Sequence, residues 1–268
     1  MNRTLKTLAT NICSKLLGPV RGFPTVATQK RDIENLLRLL RPVSAEKNLI
    51  RLGPSCDGGY LVPDDLKDIY ACISPGVSTV SDFEIDCAER GMKVMLADRT
   101  VDQPPSNHPN FSFLKKHVGS YNDETYITID KCISLLKPPL NSDLLLQMDI
   151  EGAEYETILN ISPEGMSKFR IIVVEFHYLD QLWNRPFYRI ASRVFEKILS
   201  THACVHMHPN NCRPVFAKQG IRIPPLIEFT FYDRRRIAKA VPTKQFPHPL
   251  DADNTDFPTL KLPKEWYT

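Results

Sequence analysis

The sequence predicts an α/β fold of the Rossmann-like kind, in which buried parallel strands open at their carboxyl ends into loops and helices. Three stretches carry that prediction. Asp143–Glu156, DLLLQMDIEGAEYE, begins as an apolar run and ends among acids around Gly152, the pattern of a buried strand entering a loop and then a helix. Ile69–Ser74 is a second apolar run that leads into Pro75-Gly76-Val77-Ser78-Thr79. A helical stretch, Ser81–Arg90, follows and stops at Gly91; Lys93–Ala97 then reads as a strand ending at Asp98. Phe169–His177, FRIIVVEFH, repeats the design with Glu175 and His177 at its end.

A chain of 268 residues with 42% apolar side chains can bury an ample core without disulfide staples, as one large domain with extensions. A net charge of +3 comes without the broad basic stripe that nucleic-acid binding needs, so nucleic acid is not expected as a partner. The densest basic run, Arg234–Arg236, reads as solvated surface. Seven cysteines, an odd number with no CxxC pair, argue against a zinc site and for a reducing, cytoplasmic setting. No run reaches transmembrane length.

Residues 1–45 read as a helical N-terminal extension. Leu5, Leu8, Ile12 and Leu16 recur at helical spacing among basic residues, and Ile33–Leu40 continues the pattern until Pro42. Residues 1–23 leave open a weak peripheral membrane contact, or packing on the domain or on a second subunit in a homodimer. Residues 46–236 are the expected main domain. In it Asp57-Gly58-Gly59 signals a tight turn, Asn110–Val118 a third strand, and Asp130 the cap of a helix reaching Leu136. Ala153–Leu159 and Tyr188–Leu199 read as helices. Ala203–His208 reads as a strand with His206 and His208 on one face, and Leu226–Tyr232 as a late antiparallel strand. Residues 237–268, with five prolines between Pro242 and Pro263, form a Pro-rich C-terminal tail that wraps the domain or stays mobile.

Ligands of open α/β sheets collect at the carboxyl ends of the strands. Asp98 follows Gly76 by 22 residues, which fits a nucleoside site with a glycine loop under the ligand and an acid on the ribose hydroxyls. A single glycine does not supply the diphosphate cradle of a dinucleotide site. Asp149 and Glu151 at one strand end, with Glu175 and His177 at another, converge on one cleft if those strands are neighbours. The plainer alternative makes Asp149 and Glu151 caps of the next helix, and Glu175 or His177 a satisfied core group.

Met148-Asp149-Ile150-Glu151-Gly152-Ala153-Glu154 resembles the acid-Gly-Ala-Glu signature of FkbM-type S-adenosylmethionine-dependent methyltransferases. Asp57-Gly58-Gly59-Tyr60, Gly76, Asp98, Val174-Glu175-Phe176-His177 and Val205–Asn211 stand in a fitting order around it, and the resemblance spans roughly residues 48 to 235. It implies a class I methyltransferase fold, a mostly parallel seven-stranded sheet with a reversed final strand and helices on both faces. It implies S-adenosyl-L-methionine as cofactor and a hydroxyl, often on a sugar or natural product, as acceptor. Carried over to these positions, Ser74 and Gly76 resemble the cofactor loop and Asp98 the ribose acid. Asp149 and Glu151 resemble the acids where cofactor and acceptor meet. The chain departs from many such enzymes in its loop, which lacks their acid and extra glycines.

The expected reaction is O-methylation of a small-molecule or glycan acceptor. His177 is the best general base by residue type, with an ordinary pKa near ~6.5; Asp149 and His208 are the other candidates. Asp149, Glu151 and Glu175 together suit Mg²⁺ better than zinc. Two other classes stay open: a non-catalytic nucleoside-binding module, and a glycosyltransferase using Asp149-Ile150-Glu151 as a loose DxD motif.

Overall fold

The computed structural model describes residues 25–77 and 79–268. The expectation for residues 1–23 lies outside the described residues. A seven-stranded sheet forms the centre. Ahead of it, β1 (Leu49–Leu52) and β2 (Tyr60–Pro63) pair as an antiparallel hairpin around the Asp57-Gly58-Gly59 turn. The central strands are β3 (Ile69–Pro75), β4 (Lys93–Ala97), β5 (Phe111–Leu114), β6 (Asp143–Met148), β7 (Phe169–Phe176), β8 (His202–Pro209) and β9 (Ile227–Asp233). Their order across the sheet is β8-β9-β7-β6-β3-β4-β5. β9 runs antiparallel to both neighbours, and the other pairings are parallel. This is the mostly parallel sheet with one reversed strand that the resemblance implies.

Among the described residues the helices of seven or more residues are α1 (Lys30–Leu40), α2 (Asp82–Glu89), α3 (Ile129–Leu136), α4 (Glu154–Asn160) and α5 (Arg185–Leu199). One face of the sheet meets α1, α3, α4 and α5 in the larger core cluster. The other meets α2 and the β1–β2 hairpin. Apolar spacing explains each contact. Ala191, Val194, Phe195 and Ile198 put one stripe of α5 inward, and Ile33, Leu36, Leu37 and Leu40 do the same for α1. Full burial of such side chains is worth about 1.5–3 kcal/mol each.

Two expected boundaries differ. The strand foreseen over Asn110–Val118 ends at Leu114, whose carbonyl accepts from the Asp98 and Lys116 amides; His117–Val118 then pairs with Tyr126–Ile127. The cap of α3 is Thr128, whose hydroxyl accepts from the Lys131 amide at 3.2 Å. Asp130 instead holds Ser162 through its amide and hydroxyl. The Pro-rich tail is an ordered strap. Trp266 is fully buried and donates from Nε1 to the Arg222 carbonyl at 3.0 Å, and Asn211 accepts from and donates to the backbone around Thr255. Among the described residues, no helix is long and apolar enough to cross a membrane.

Candidate active site

The chain leaves β3 toward β4 and β5 on one side and returns to β6 and β7 on the other. The crevice therefore opens where the carboxyl ends of β3 and β6 part. Gly76 sits there at φ +87°, and a Cβ on it would lie 1.5 Å from the Asp149 carbonyl oxygen. The Asp149 amide donates to the Pro75 carbonyl at 3.3 Å. Glycine is thus required by the close approach of the β6 end, a demand separate from any ligand. This contact fixes Asp149 between two cavities.

The larger cavity, about 390 Å³, is bounded by Gly76, Asp98, Thr100, Tyr126, Asp149 and Glu156. Small-molecule sites run from ~300 to ~1,000 Å³. Asp98 is buried in its wall, and Oδ1 accepts from the Thr100 amide at 2.7 Å and hydroxyl at 2.6 Å. The smaller cavity, about 80 Å³, lies on the other side of Gly76 and Asp149, against Asp57, Tyr60 and Gln147. Ser74 is fully buried below the loop, bonded to Glu84 and, at 2.7 Å, to Gln147. Burial raises the Glu84 carboxyl to about 7, so a protonated Glu84 can supply the second proton that this pair of bonds to one hydroxyl requires.

Past β6 the backbone twists into left-handed conformations at Glu151 (φ +57°) and Gly152 (φ +107°). A Cβ on Gly152 would lie 2.5 Å from the Tyr178 ring. The twist turns two amides inward. Glu154, wholly buried, accepts at Oε1 from the amides of Ile150 (3.1 Å) and Gly152 (3.0 Å). The same oxygen lies 3.1 Å from His177 Nδ1. His177 Nε2 then points at the acids, 3.3 Å from Glu151 and 3.8 Å from Asp149. Burial pulls the His177 pKa down, but the hydrogen bond and charge of Glu154, with the charges of Asp149 and Glu151, outweigh it and leave the pKa raised. Burial lifts Asp149 to about 7 against the opposing pull of His177.

The structure thus gathers Asp149, Glu151 and His177, with one ligand-type atom from each within 4.8 Å of the others. Glu175 does not join this cluster, although it is near enough to Asp149 to feel its charge. Glu175 lies on the opposite face of the sheet, under the β1–β2 hairpin, and accepts from Asn210 Nδ2 at 3.1 Å. His208 lies two strands away beside Asp251, at 3.7 Å, too far for a hydrogen bond. Burial lowers His208, but the Asp251 and Glu228 carboxylates beside it leave its pKa raised. The all-oxygen set expected for Mg²⁺ is not assembled, because an imidazole occupies the place foreseen for the third carboxylate.

Sequence reasoning did not assign roles to Glu154, Tyr60, Glu228, Asp251 or Asn254. Glu154 was visible as the closing acid of the Met148–Glu154 signature, with no role of its own. Glu228 is a lone acid inside an apolar strand, which is a signal of a buried charge. Asn254 carries no local signal, and His248-Pro249-Leu250-Asp251 reads as plain surface packing ahead of a place over the site.

No family model matches the chain, and no curated protein matches it. Among solved structures the chain is similar to a candidate RNA methyltransferase from Pyrococcus horikoshii, at 11% identity and a TM-score of 0.32, over 77% of this chain and 98% of that one.

Proposed function

We propose that the chain is an S-adenosylmethionine-dependent methyltransferase of the FkbM type that methylates a hydroxyl on a sugar, glycan-related or natural-product acceptor. One juxtaposition carries the reading: the cavity walled by Asp98 and the Glu154–His177 pair meet at Asp149. The residues suit the cofactor. Asp98 is an acid at the end of the second parallel strand, placed to take a ribose diol, and Gly76 keeps the loop low beside it.

When bound, S-adenosylmethionine supplies a methyl group already activated on a sulfonium. The protein's task is therefore to place the acceptor oxygen and remove its proton. Glu154 holds the Nδ1–H tautomer of His177, which leaves Nε2 bare to accept that proton. Asp149 and Glu151 face Nε2 and stabilise the imidazolium that forms. Asp149 also stands between the two cavities, where it can orient the hydroxyl. No step runs through a magnesium ion.

The test is thermal stabilisation by S-adenosylhomocysteine, NAD and UDP-glucose in parallel. A shift with S-adenosylhomocysteine alone is expected. A shift with UDP-glucose alone would replace this reading with glycosyl transfer.

A further inference from the structure

On the face of the sheet opposite the α4 side, one row of ionisable groups crosses four adjacent strands. Met148 pairs with Val174, which sets Asp149 level with Glu175. Glu175 pairs with Glu228, and Glu228 pairs with His208. The β1–β2 hairpin roofs the row with Tyr60, and Thr230 ties the hairpin down through a 2.6 Å bond to the Leu61 carbonyl. The strap closes one side. Asn254 donates to Glu228 at 2.6 Å and to Asp57 at 3.1 Å, so those two carboxylates share one amide.

Among the described residues, the basic group in this row is His208, whose pKa burial lowers but its neighbours Asp251 and Glu228 leave raised. Among the described residues, no lysine or arginine forms an ion pair with Asp149, Glu175 or Glu228. Arg51 is near enough for Glu228 to feel its charge, but its donors go to the carbonyls of Pro54, Cys56 and Leu250. Burial raises Glu228 to about 7 against the opposing pull of His208, the Asn254 hydrogen bond and Arg51, while burial together with the Asp149 and Glu228 charges holds Glu175 well above the usual carboxylate range. Like charges directly opposite on paired strands oppose folding.

Unmet hydrogen-bonding capacity collects at the same place. Glu175 is 2% exposed and its Oε2 has no hydrogen-bond partner among the described residues. The same holds for Asp149 Oδ1, both ring nitrogens of His208, and Asn254 Oδ1. Native interiors pair nearly all such atoms, so a polar ligand group is the natural complement. The Glu175 and Asp149 oxygens call for a donor, best a cationic one, and the His208 ring for an acceptor such as a hydroxyl. Among the described residues, only Asp149, Glu151 and His177 converge within 4.8 Å, so the row spreads too widely for a metal ion held by three of its groups.

We propose that this row anchors a protonated amine on the acceptor. The acceptor class is then a hydroxyl-bearing molecule with an ammonium group, such as an amino sugar or amino alcohol. The inference rests on the methyl-transfer reading: the hydroxyl is placed at Asp149, where the two cavities meet, and the ammonium between Glu175 and Glu228.

The test is calorimetric titration of the full chain, saturated with S-adenosylhomocysteine, with glucosamine and with its neutral counterparts glucose and N-acetylglucosamine. Glucosamine is expected to bind at least about tenfold more tightly than either. Glu175→Gln and Glu228→Gln keep the side-chain shape and are each expected to remove that preference. The wild-type comparison needs no variant, so a folding defect leaves the test intact. Equal binding of the amine and the neutral sugars overturns the proposal, as does Mn²⁺ binding that Glu228→Gln abolishes in place of amine binding. Binding of S-adenosylhomocysteine in the same samples separates the two failures. If it persists while amine preference is absent, only the anchoring site falls; if it is absent, the methyl-transfer reading falls.

Discussion

Glu154→Gln tests the proposed base most sharply. The wild-type carboxylate accepts three donors at one oxygen: two backbone amides at 3.1 and 3.0 Å and His177 Nδ1–H at 3.1 Å. Glutamine has nearly the same shape. Its oxygen, in the place of Oε1, keeps all three donors, and its NH₂ takes the place of Oε2, which has no hydrogen-bond partner among the described residues. The Nδ1–H tautomer and the bare Nε2 are therefore kept. What is lost is the charge that helps to raise the His177 pKa, so His177 becomes a weaker base. General-base catalysis follows base strength, so methyl transfer should fall by about three- to tenfold at a pH where His177 is neutral in both chains. The fold should survive. Replacing charge-assisted bonds by neutral ones costs about 1 kcal/mol, or about 2–4 °C in Tm for a domain of this size. The pKa and tautomer of the imidazole are read from long-range ¹⁵N–¹H spectra over a pH series, which needs no acceptor. The reasoning fails if the His177 pKa does not fall in the variant, or if its proton moves to Nε2.

Other outcomes follow from the same geometry. Gly76→Ala forces a Cβ to within 1.5 Å of a carbonyl oxygen at φ +87°, and should cost about 2–5 kcal/mol in urea unfolding; a loss under about 0.5 kcal/mol contradicts the close approach. The strap should be held best in a pH window. Burial raises Asp251, but His206 at 2.8 Å and His208 at 3.7 Å hold it well below the usual range, so its stabilisation is present above about pH 4 and lost as pH falls through the folded value. His208 has a raised pKa, so its share is full below about pH 6.5 and lost as pH rises through the folded value. Exchange protection of the Thr255 amide, which donates to Asn211, should decline on both sides; a flat profile contradicts the anchor. Methyl transfer should continue at the same rate in EDTA, and a loss restored by Mg²⁺ would show that a cation takes part.

The fold was legible because several central strands are short apolar runs that end among glycines, acids or histidines. Ile69–Ser74, Lys93–Ala97 and Phe169–His177 all show this, and parallel strands buried on both faces leave little else for such runs to be. The site was legible only as strand ends. Gly76 and Asp98 could be paired by spacing, but the carbonyl of Asp149 against Gly76 arises between strands far apart in sequence. Glu175 and His177 look equivalent two residues apart. His177, however, lies just past the last strand residue, Phe176, and its ring joins Glu154 on the α4 side, while Glu175 faces the hairpin. Asp251 reaches His206 across 45 residues of chain, out of a tail whose composition signals only irregular backbone.

The central claim is that the cavity walled by Asp98 holds S-adenosylmethionine. Calorimetric titration of S-adenosylhomocysteine into the wild-type chain and Asp98→Ala tests it most directly. The account predicts saturable one-to-one binding by the wild type and at least about tenfold weaker binding by the variant, a loss of about 1.4 kcal/mol. No binding by the wild type, or equal affinity in the two chains, would contradict it.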